Sequence, residues 1–375
     1  MTTYLGAKHW KPAVLQDLIH LQRGFDITKA QQKEGDVPVF SSSGLSSWHD
    51  EAKAHGPGVI IGRKGTLGSV HYCEGDFWPH DTTLWSKSLH GNNARFVYYA
   101  LKCLGLERFN VGGANPTLNR NHIHGLPIRL PERHVQDDIA SILSAYDELI
   151  ENNRRRIALL EEAARMLYRE WFVHFRFPGH EHVKITGGLP EGWERRLLFE
   201  EADATYGHAF KSELFNETAE GVPVVRIRDV PNGTSNTWTT EEAPADRRLA
   251  NGDFLIGMDG DFHMNFWAGG DAWLNQRVTR IGSKGRIGVG LLRFALERPI
   301  KNLNETITGT TVKHLGAKHL KTIDLVVPPA PLLSQANEFC ENARGAAVNL
   351  SIQNQQLAQA RELLLPRLMN GEIAI

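Results

Sequence analysis

The feature that most constrains this chain is that it says nearly everything twice. HWKPAVLQDL around Trp10 is echoed by GWERRLLFEE around Trp193, and Val37-Pro38-Val39 by Val222-Pro223-Val224. GVIIGRKG, from Gly58, has its partner in GDFLIGMDG, from Gly252, and DFWPHDTTL, from Asp76, has its partner in DAWLNQRVT, from Asp271. IHGLPIRLP, ending at Pro131, matches LKTIDLVVP, ending at Pro328. The separation grows from 183 residues at the tryptophans to 195 at Gly62 and Gly257 and 197 at the prolines. The second copy is therefore longer by about a dozen residues, inserted early, where VPVVRIRDVPNGTSNTWTTEEAPADRR lies. Each match is weak alone; five in one order indicate a divergent duplication.

Within each copy the apolar runs are short, β-branched and bounded by Gly, Pro, Asn or Asp. VPVF, GVIIG, LGSVHY, VPVVRI and GDFLIG fit strands joined by tight turns. ARFVYYALKCLGL, from Ala94 to Leu106, fits a helix with Phe96, Tyr99, Ala100 and Cys103 on one face. After each globule the texture changes. Leu143, Ile150, Ile157, Ala164 and Trp171 recur every seven residues, interleaved with Tyr146, Asn153, Leu160 and Leu167. In the second copy the seam reads Phe339, Ala343, Ala346, Leu350, Leu357, Ala360 and Leu364. Helices of ~35 residues are ~50 Å long, too long to bury an apolar stripe on globules of this size, so they should pack on each other. Asn153 and Gln353 fall 200 residues apart at matching seam positions. They are either a solvated break or a hydrogen-bonded register lock in an antiparallel pair. The expected fold is α+β: a mixed α/β globule over 1–131, a long helix over 132–177, a linker over 178–188, a second globule over 189–330 and a second long helix over 331–375.

Catalytic signatures are missing. GRKGTLGS has the wrong order for a phosphate loop and runs on into VHYCEGDFW, which alternates like a strand. Its repeat partner, GMDGDF, puts a carboxylate where an anion cradle needs cations. The dinucleotide fingerprint, a nucleophile elbow and a zinc helix are absent. The pairs His122/His124 and His180/His182 lack cysteine or carboxylate partners at ligand spacing and are read as solvated surface histidines, leaving no metal site. Asn115-Pro116-Thr117 lacks the second proline and the aromatic of the adenine-methyltransferase motif. Cys73, Cys103 and Cys340 have no CxxC spacing and fit buried thiols of a reducing compartment. The N-terminus has no apolar signal core and no run is long enough to span a membrane, so a cytoplasmic location is expected. With 42 basic and 43 acidic residues the formal charge is −1, which argues against a protein coated in positive charge but leaves a basic face open.

A duplicated chain with variable loop tips and no catalytic set looks like a reader. GVIIGRKGTLGSVHYCEGDFWPHDTTL, ALLEEAARMLYREWFVHF, LPEGWE, NGDFLIGMDGDF, LNQRVTRI and RELLLPRLMNGEI resemble the specificity subunit of type I restriction-modification systems, over nearly the whole chain. That resemblance implies two target recognition domains, each reading one half of an asymmetric split site in double-stranded DNA. It also implies that the long helices form an antiparallel coiled coil, arranged with the domains as a pseudo-twofold repeat, which sets the spacer. The chain itself would hold no cofactor and catalyse nothing. Two adenine methyltransferase subunits using S-adenosylmethionine, and two restriction subunits using ATP and Mg2+, would dock on it, with no membrane involved.

Contacts with DNA are expected from loop tips, through phosphate-positioning cations and base-reading amides or guanidiniums. In the first domain these are Arg63 and Lys64 at the turn, Ser41, Ser42 and Ser43 in FSSSGLSSWHD, and Asn115, Thr117 and Asn119 in GGANPTLNR. In the second they are Lys211, Arg226, Arg228 and Asn265, with Gln276 and Arg277 in LNQRV. The coiled-coil seam is expected from Leu143, Ile150, Asn153, Ile157 and Leu160 against Leu350, Gln353, Leu357 and Leu364. GRKG and LNQRV recur as family phrases in members that read different sites, which leaves a structural role open for them. The rival readings are a specificity subunit of a methylation-only system, a coiled-coil scaffold that binds proteins rather than DNA, and a nuclease that cuts split sites alone, which would need a carboxylate-lysine metal cluster.

Overall fold

The computed structural model describes residues 5–110, 116–307, 313–373 and 375. The chain divides into two compact units, Met1–Leu149 with Leu357–Ile375, and Ile150–Gln356. The first unit runs β1 (Lys11–Val14), α1 (Leu15–Leu18), β2 (His20–Arg23), β3 (Val37–Ser41), β4 (Gly44–His49), β5 (Gly58–Gly62) and β6 (Val70–Cys73). It continues with β7 (Trp78–Pro79), β8 (Thr83–Ser88), α2 (Ala94–Cys103), α3 (Arg120–Ile123), β9 (Pro127–Leu130) and the start of α4 (Arg133–Tyr168).

The strands form a two-stranded sheet β1-β9, a four-stranded sheet β2-β8-β5-β6 and a three-stranded sheet β4-β3-β7. In the last of these β3 pairs antiparallel with β4 and parallel with β7. GVIIG is buried at every residue of β5, as expected of a central strand with both faces covered. Asn93 caps α2 by accepting from the Phe96 amide at 3.0 Å, and Phe96, Val97, Tyr99 and Ala100 drop into the core. That core also takes Leu15, Leu18, Val59 and Ile61, closed by Leu143 of α4 and by Leu365, Leu368 and Met369. Asp147 pairs with Arg361 beside them.

The second unit begins inside α4, which continues as a π turn over Arg169–Val173. It then runs β10 (Ile185–Thr186), β11 (Leu189–Pro190), β12 (Glu194–Leu197), α5 (Leu198–Glu201), β13 (Ala202–Tyr206), β14 (Phe215–Asn216), β15 (Val222–Val225) and β16 (Trp238–Thr239). After these come β17 (Arg248–Leu249), β18 (Phe254–Gly257), β19 (Met264–Phe266), β20 (Ala272–Leu274), β21 (Val278–Ser283), α6 (Val289–Thr306), α7 (Ala317–Leu320), β22 (Asp324–Val327) and α8 (Ala330–Met369).

Its sheets are the hairpin β10-β11, then β12-β22, β13-β21-β18-β19 and β14-β16-β15-β20-β17, again with one parallel pair, β15 and β20. The last three correspond in strand order to the sheets of the first unit, except that the five-stranded one gains strands. β16, β15 and β20 stand for β4, β3 and β7, and the added strands are the two edges, β14 and β17. The core packs Phe254, Ile256, Ile281, Leu291, Leu292 and Leu296 against Ala164 of α4 and Ala336, Cys340 and Ala343 of α8.

The long helices correct the expected seam in two places. Asn153 is buried at 7 % exposure and donates through Nδ2 to Asn354 Oδ1 at 3.0 Å, whereas Gln353 faces solvent. Phe339 is exposed and its neighbour Cys340 takes the buried place. Heptad spacing alternates three and four residues, and from Leu350 the chain takes the step of four where three was expected. Leu143, Ile150 and Leu350 are buried, and Ile157, Leu160, Leu357 and Leu364 half-buried. Among the described residues no helix is long and apolar enough to cross a membrane.

Candidate nucleic-acid interface

The GRKG turn joins β5 to β6, which pair antiparallel from Gly58–Cys73 to Ile61–Val70. Its backbone is clasped from two sides. The amides of Arg63 and Lys64 donate to Thr82 O at 2.8 and 3.1 Å, and Leu118 N donates to Arg63 O at 2.9 Å. The Arg63 side chain turns inward, with Nη1 on Asp81 O at 3.4 Å. Burial, and then the neighbouring Arg23 charge, lower its pKa, Asp81 working the other way. Lys64 is exposed, and its ammonium has no ion pair among the described residues. The two cations of the turn thus do different things: one braces the loop and one faces solvent.

The serine loop is the β3–β4 turn. Ser42 is buried, its carbonyl accepts from Ser69 Oγ and from His71 Nε2, and its amide approaches Thr82 Oγ1 at 3.4 Å. Ser41 Oγ and Ser43 Oγ share a hydrogen bond of 2.9 Å, and Ser43 is exposed. Thr117 donates its amide to Asn110 Oδ1 at 3.0 Å and bridges Lys64. Asn119 caps α3 by accepting from Asn121 N at 3.0 Å. Asn115 lies outside the described residues.

In the second unit Lys211 is exposed, its amide held by Glu241 at 2.9 Å. Arg226 lies over the Phe215 ring at 5.5 Å, and Arg228 donates to Thr237 Oγ1 at 2.9 Å. Asn265 spends its amide on the backbone, donating to Pro231 O at 2.9 Å and accepting from Phe266 N at 2.8 Å. Arg277 is paired with Asp259 at 3.5 Å, and Asp259 also takes His314 Nδ1 at 2.7 Å. Gln276 is exposed; its backbone N–H donates to His208 O at 2.9 Å, and its side-chain carboxamide makes no hydrogen bond among the described residues.

The two turns sit in the same backbone frame. Where Arg63 N meets Thr82 O, Met258 N meets Arg277 O at 2.9 Å, and where Leu118 N meets Arg63 O, Leu315 N meets Met258 O at 2.7 Å. Lys64 bridges Thr117 as Asp259 bridges His314. Gly24 N and Phe25 N donate to Thr83 O and Pro79 O at 3.1 and 2.8 Å, as Gly207 N and His208 N do to Val278 O and Leu274 O at 3.3 and 2.8 Å. At both crossings a Cβ on the glycine would collide with carbonyl oxygens, Pro79 and His80 in one case, Leu274 and Asn275 in the other. The frame is repeated while almost every side chain it presents is changed.

Sequence reasoning missed Arg23, Asp81, Lys87 and Arg120. These residues line an open concavity of about 660 Å³ beside the first turn. Arg23 Nη2 donates to Asp81 Oδ2 at 2.7 Å. Burial alone would raise the Asp81 carboxyl, but the Arg23 bond and the charges of His80, Arg23 and Lys64 outweigh it and hold the pKa below the usual value. The signal was present: DFWPHDTTL and DAWLNQRVT agree at Asp76 and Trp78 and differ completely over 80–82 and 275–277.

Asp26, His80 and Asp81 bring ligand atoms within 4.8 Å of one another. Asp81 is already engaged by Arg23 and His80 Nδ1 by Thr82 Oγ1 at 3.0 Å, which suits a hydrogen-bond network better than a cation. The reading of His124 as a surface histidine is corrected too. It is buried at the C-cap of α3, and Leu21 N donates to its Nε2 at 3.1 Å. His122, His180 and His182 are exposed.

Known proteins agree with this architecture. A family model described as the type I restriction modification DNA specificity domain matches residues 7–162. The type I restriction enzyme MjaIX specificity subunit of Methanocaldococcus jannaschii is 24 % identical over 309 residues, 75 % of this chain and 69 % of that one. The EcoBI specificity subunit of Escherichia coli is 35 % identical over 148 residues, 39 % of this chain and 31 % of that one. The crystal structure of the type I restriction-modification S subunit from M. genitalium has the same fold, with a TM-score of 0.64 at 18 % identity over 98 % of this chain and 99 % of that one. Residues 7–162 thus carry the type I restriction modification DNA specificity domain, and the chain as a whole is similar to specificity subunits of type I restriction-modification systems.

Proposed function

We propose that this chain is the DNA-specificity subunit of a type I restriction-modification complex, in which each globule reads one half of an asymmetric, split DNA site. The observation that carries the reading is the repeated backbone frame with changed side chains. A frame held constant by main-chain bonds fixes geometry, and replaced side chains at its rim make two different readers. The frame also supports an origin in divergent duplication.

The long helices act as an antiparallel coiled coil that sets the spacer and docks two methyltransferase and two restriction subunits. Asp147 with Arg361, and Asn153 with Asn354, support that pairing. A pair of ~50 Å helices can hold readers one helical turn of DNA apart, ~34 Å, with length to spare for partners. S-adenosylmethionine, ATP and Mg2+ serve those partners, and this chain does no chemistry itself. DNA contacts fall to Lys64, Ser43 and Thr117 in the first globule, and to Lys211, Arg226, Arg228, Gln276 and Arg277 in the second. Ser41, Ser42, Arg63, Asn119 and Asn265 act chiefly by shaping the loops. The test is titration of the complex assembled on this chain with duplex DNA at several salt concentrations. Salt-sensitive binding, tighter to methylatable than to random duplex, is expected; equal, salt-insensitive association would favour a protein-binding scaffold.

A further inference from the structure

The geometry points to Arg23 as a base-reading residue of the first globule, aimed by Asp81 at the O6 and N7 edge of a guanine in that globule's half-site. This rests on the DNA-reading function proposed above and names a reader that the loop-tip argument did not reach.

Placement comes first. Arg23 ends β2, and the next residue, Gly24, is tied to Thr83 O at 3.1 Å at a crossing too tight for a Cβ. Its backbone is therefore held from two sides. Its guanidinium is oriented as well, because Asp81 Oδ2 takes Nη2 at 2.7 Å while the side chain remains 55 % exposed. A guanidinium offers five donors in one plane. Fixing one of them sets the plane of the rest, which have no partner among the described residues and face the concavity beside the turn. Lys87 and Arg120 line the same concavity and supply cations for the flanking phosphates. Bidentate donation to guanine O6 and N7 is what a fixed, exposed guanidinium does best in a major groove.

The second globule shows that the pair is not needed to hold the frame. The position of Arg23 is taken there by Tyr206 and that of Asp81 by Gln276, which form no ion pair, yet the crossing keeps its hydrogen bonds at 3.3 and 2.8 Å. An exposed ion pair stabilises a fold little in any case. A fold-neutral arginine, buttressed by a carboxylate and aimed at open space beside other cations, is an arrangement for recognition. By the same equivalence Gln276 stands where the second globule would read adenine with its amide.

The test maps methylated adenines, by sequencing, in DNA exposed to the complex assembled on wild-type, R23A or D81N chains, with thermal unfolding as the folding control. R23A is expected to lose preference for guanine at one base pair of one half-site by roughly 10- to 100-fold. D81N should lose part of it, and the other half-site should be unchanged. The inference is overturned if R23A leaves both half-sites intact, if it weakens both equally with normal unfolding, or if neither half-site of the wild-type map specifies a G·C pair. Absence of sequence preference in the wild-type complex would instead overturn the DNA-reading function itself, a distinguishable failure.

Discussion

At the scale of single residues, the two cations of the GRKG turn divide what the sequence presented as one feature. Arg63 braces the loop against the Asp81 carbonyl, and Lys64 faces solvent. K64A should therefore flatten the salt dependence of DNA binding by roughly one unit of log–log slope, leaving the unfolding temperature unchanged. R63A should lower that temperature; equal effects of the two substitutions on slope would contradict the division. His124 gives a second residue-scale prediction. Burial, with the nearby charges of His20 and Arg120, lowers its pKa below 6.5, so the folded chain favours neutral imidazole accepting from Leu21 N. Stability from this group is present in full above pH 6.5, the unfolded value, and is lost as pH falls through the lower folded value. Urea unfolding at pH 7.5 and 5.5 should show a smaller pH effect in H124Q, which keeps an acceptor; an unaltered pH effect would remove His124 from the account. The HxH spacing could not reveal this, because on the short helical turn that ends at His124 two residues of spacing send His122 out and His124 in.

At the scale of elements, the crossing of Gly24 over Pro79–His80 and of Gly207 over Leu274–Asn275 is what the two units share. G24A or G207A should each cost about 1–3 kcal/mol, from backbone collision that no side-chain rotation relieves. A cost near zero in chemical denaturation would show that the crossings are looser than described. The strands at GVIIG and GDFLIG were legible from their short apolar runs and glycine ends. The long helices were legible from their heptads. Register was not, because Gln353 and Asn354 are adjacent amides and heptads allow a step of three or four. With Asn354 as the true partner, N153L alone strands a partly buried amide and should destabilise by about 1–3 kcal/mol. The double change N153L with N354L should restore stability to at least the wild-type level. A single substitution as stable as the double would mean the pair contributes nothing to the seam.

At the scale of the whole molecule, the formal charge of −1 concealed the local arrangement, since cations such as Lys64, Lys87 and Lys211 stand at particular rims of an otherwise balanced surface. The backbone plan that the two units share could be read from ordered weak matches, because both keep the strand cores and the glycine crossings. The proposed readers could not, because the positions assigned to telling one site from another are those the two units do not share: 80–82 against 275–277, Lys64 against Asp259, Arg23 against Tyr206. On the function proposed above, two different readers should recognise an asymmetric site with a gap between its halves. The most direct measurement is the map of methylated adenines produced by the complex assembled on the unaltered chain. The account predicts two unlike specified half-sites separated by a fixed run of unspecified bases; a continuous site, a palindromic one, or methylation without sequence preference would contradict it.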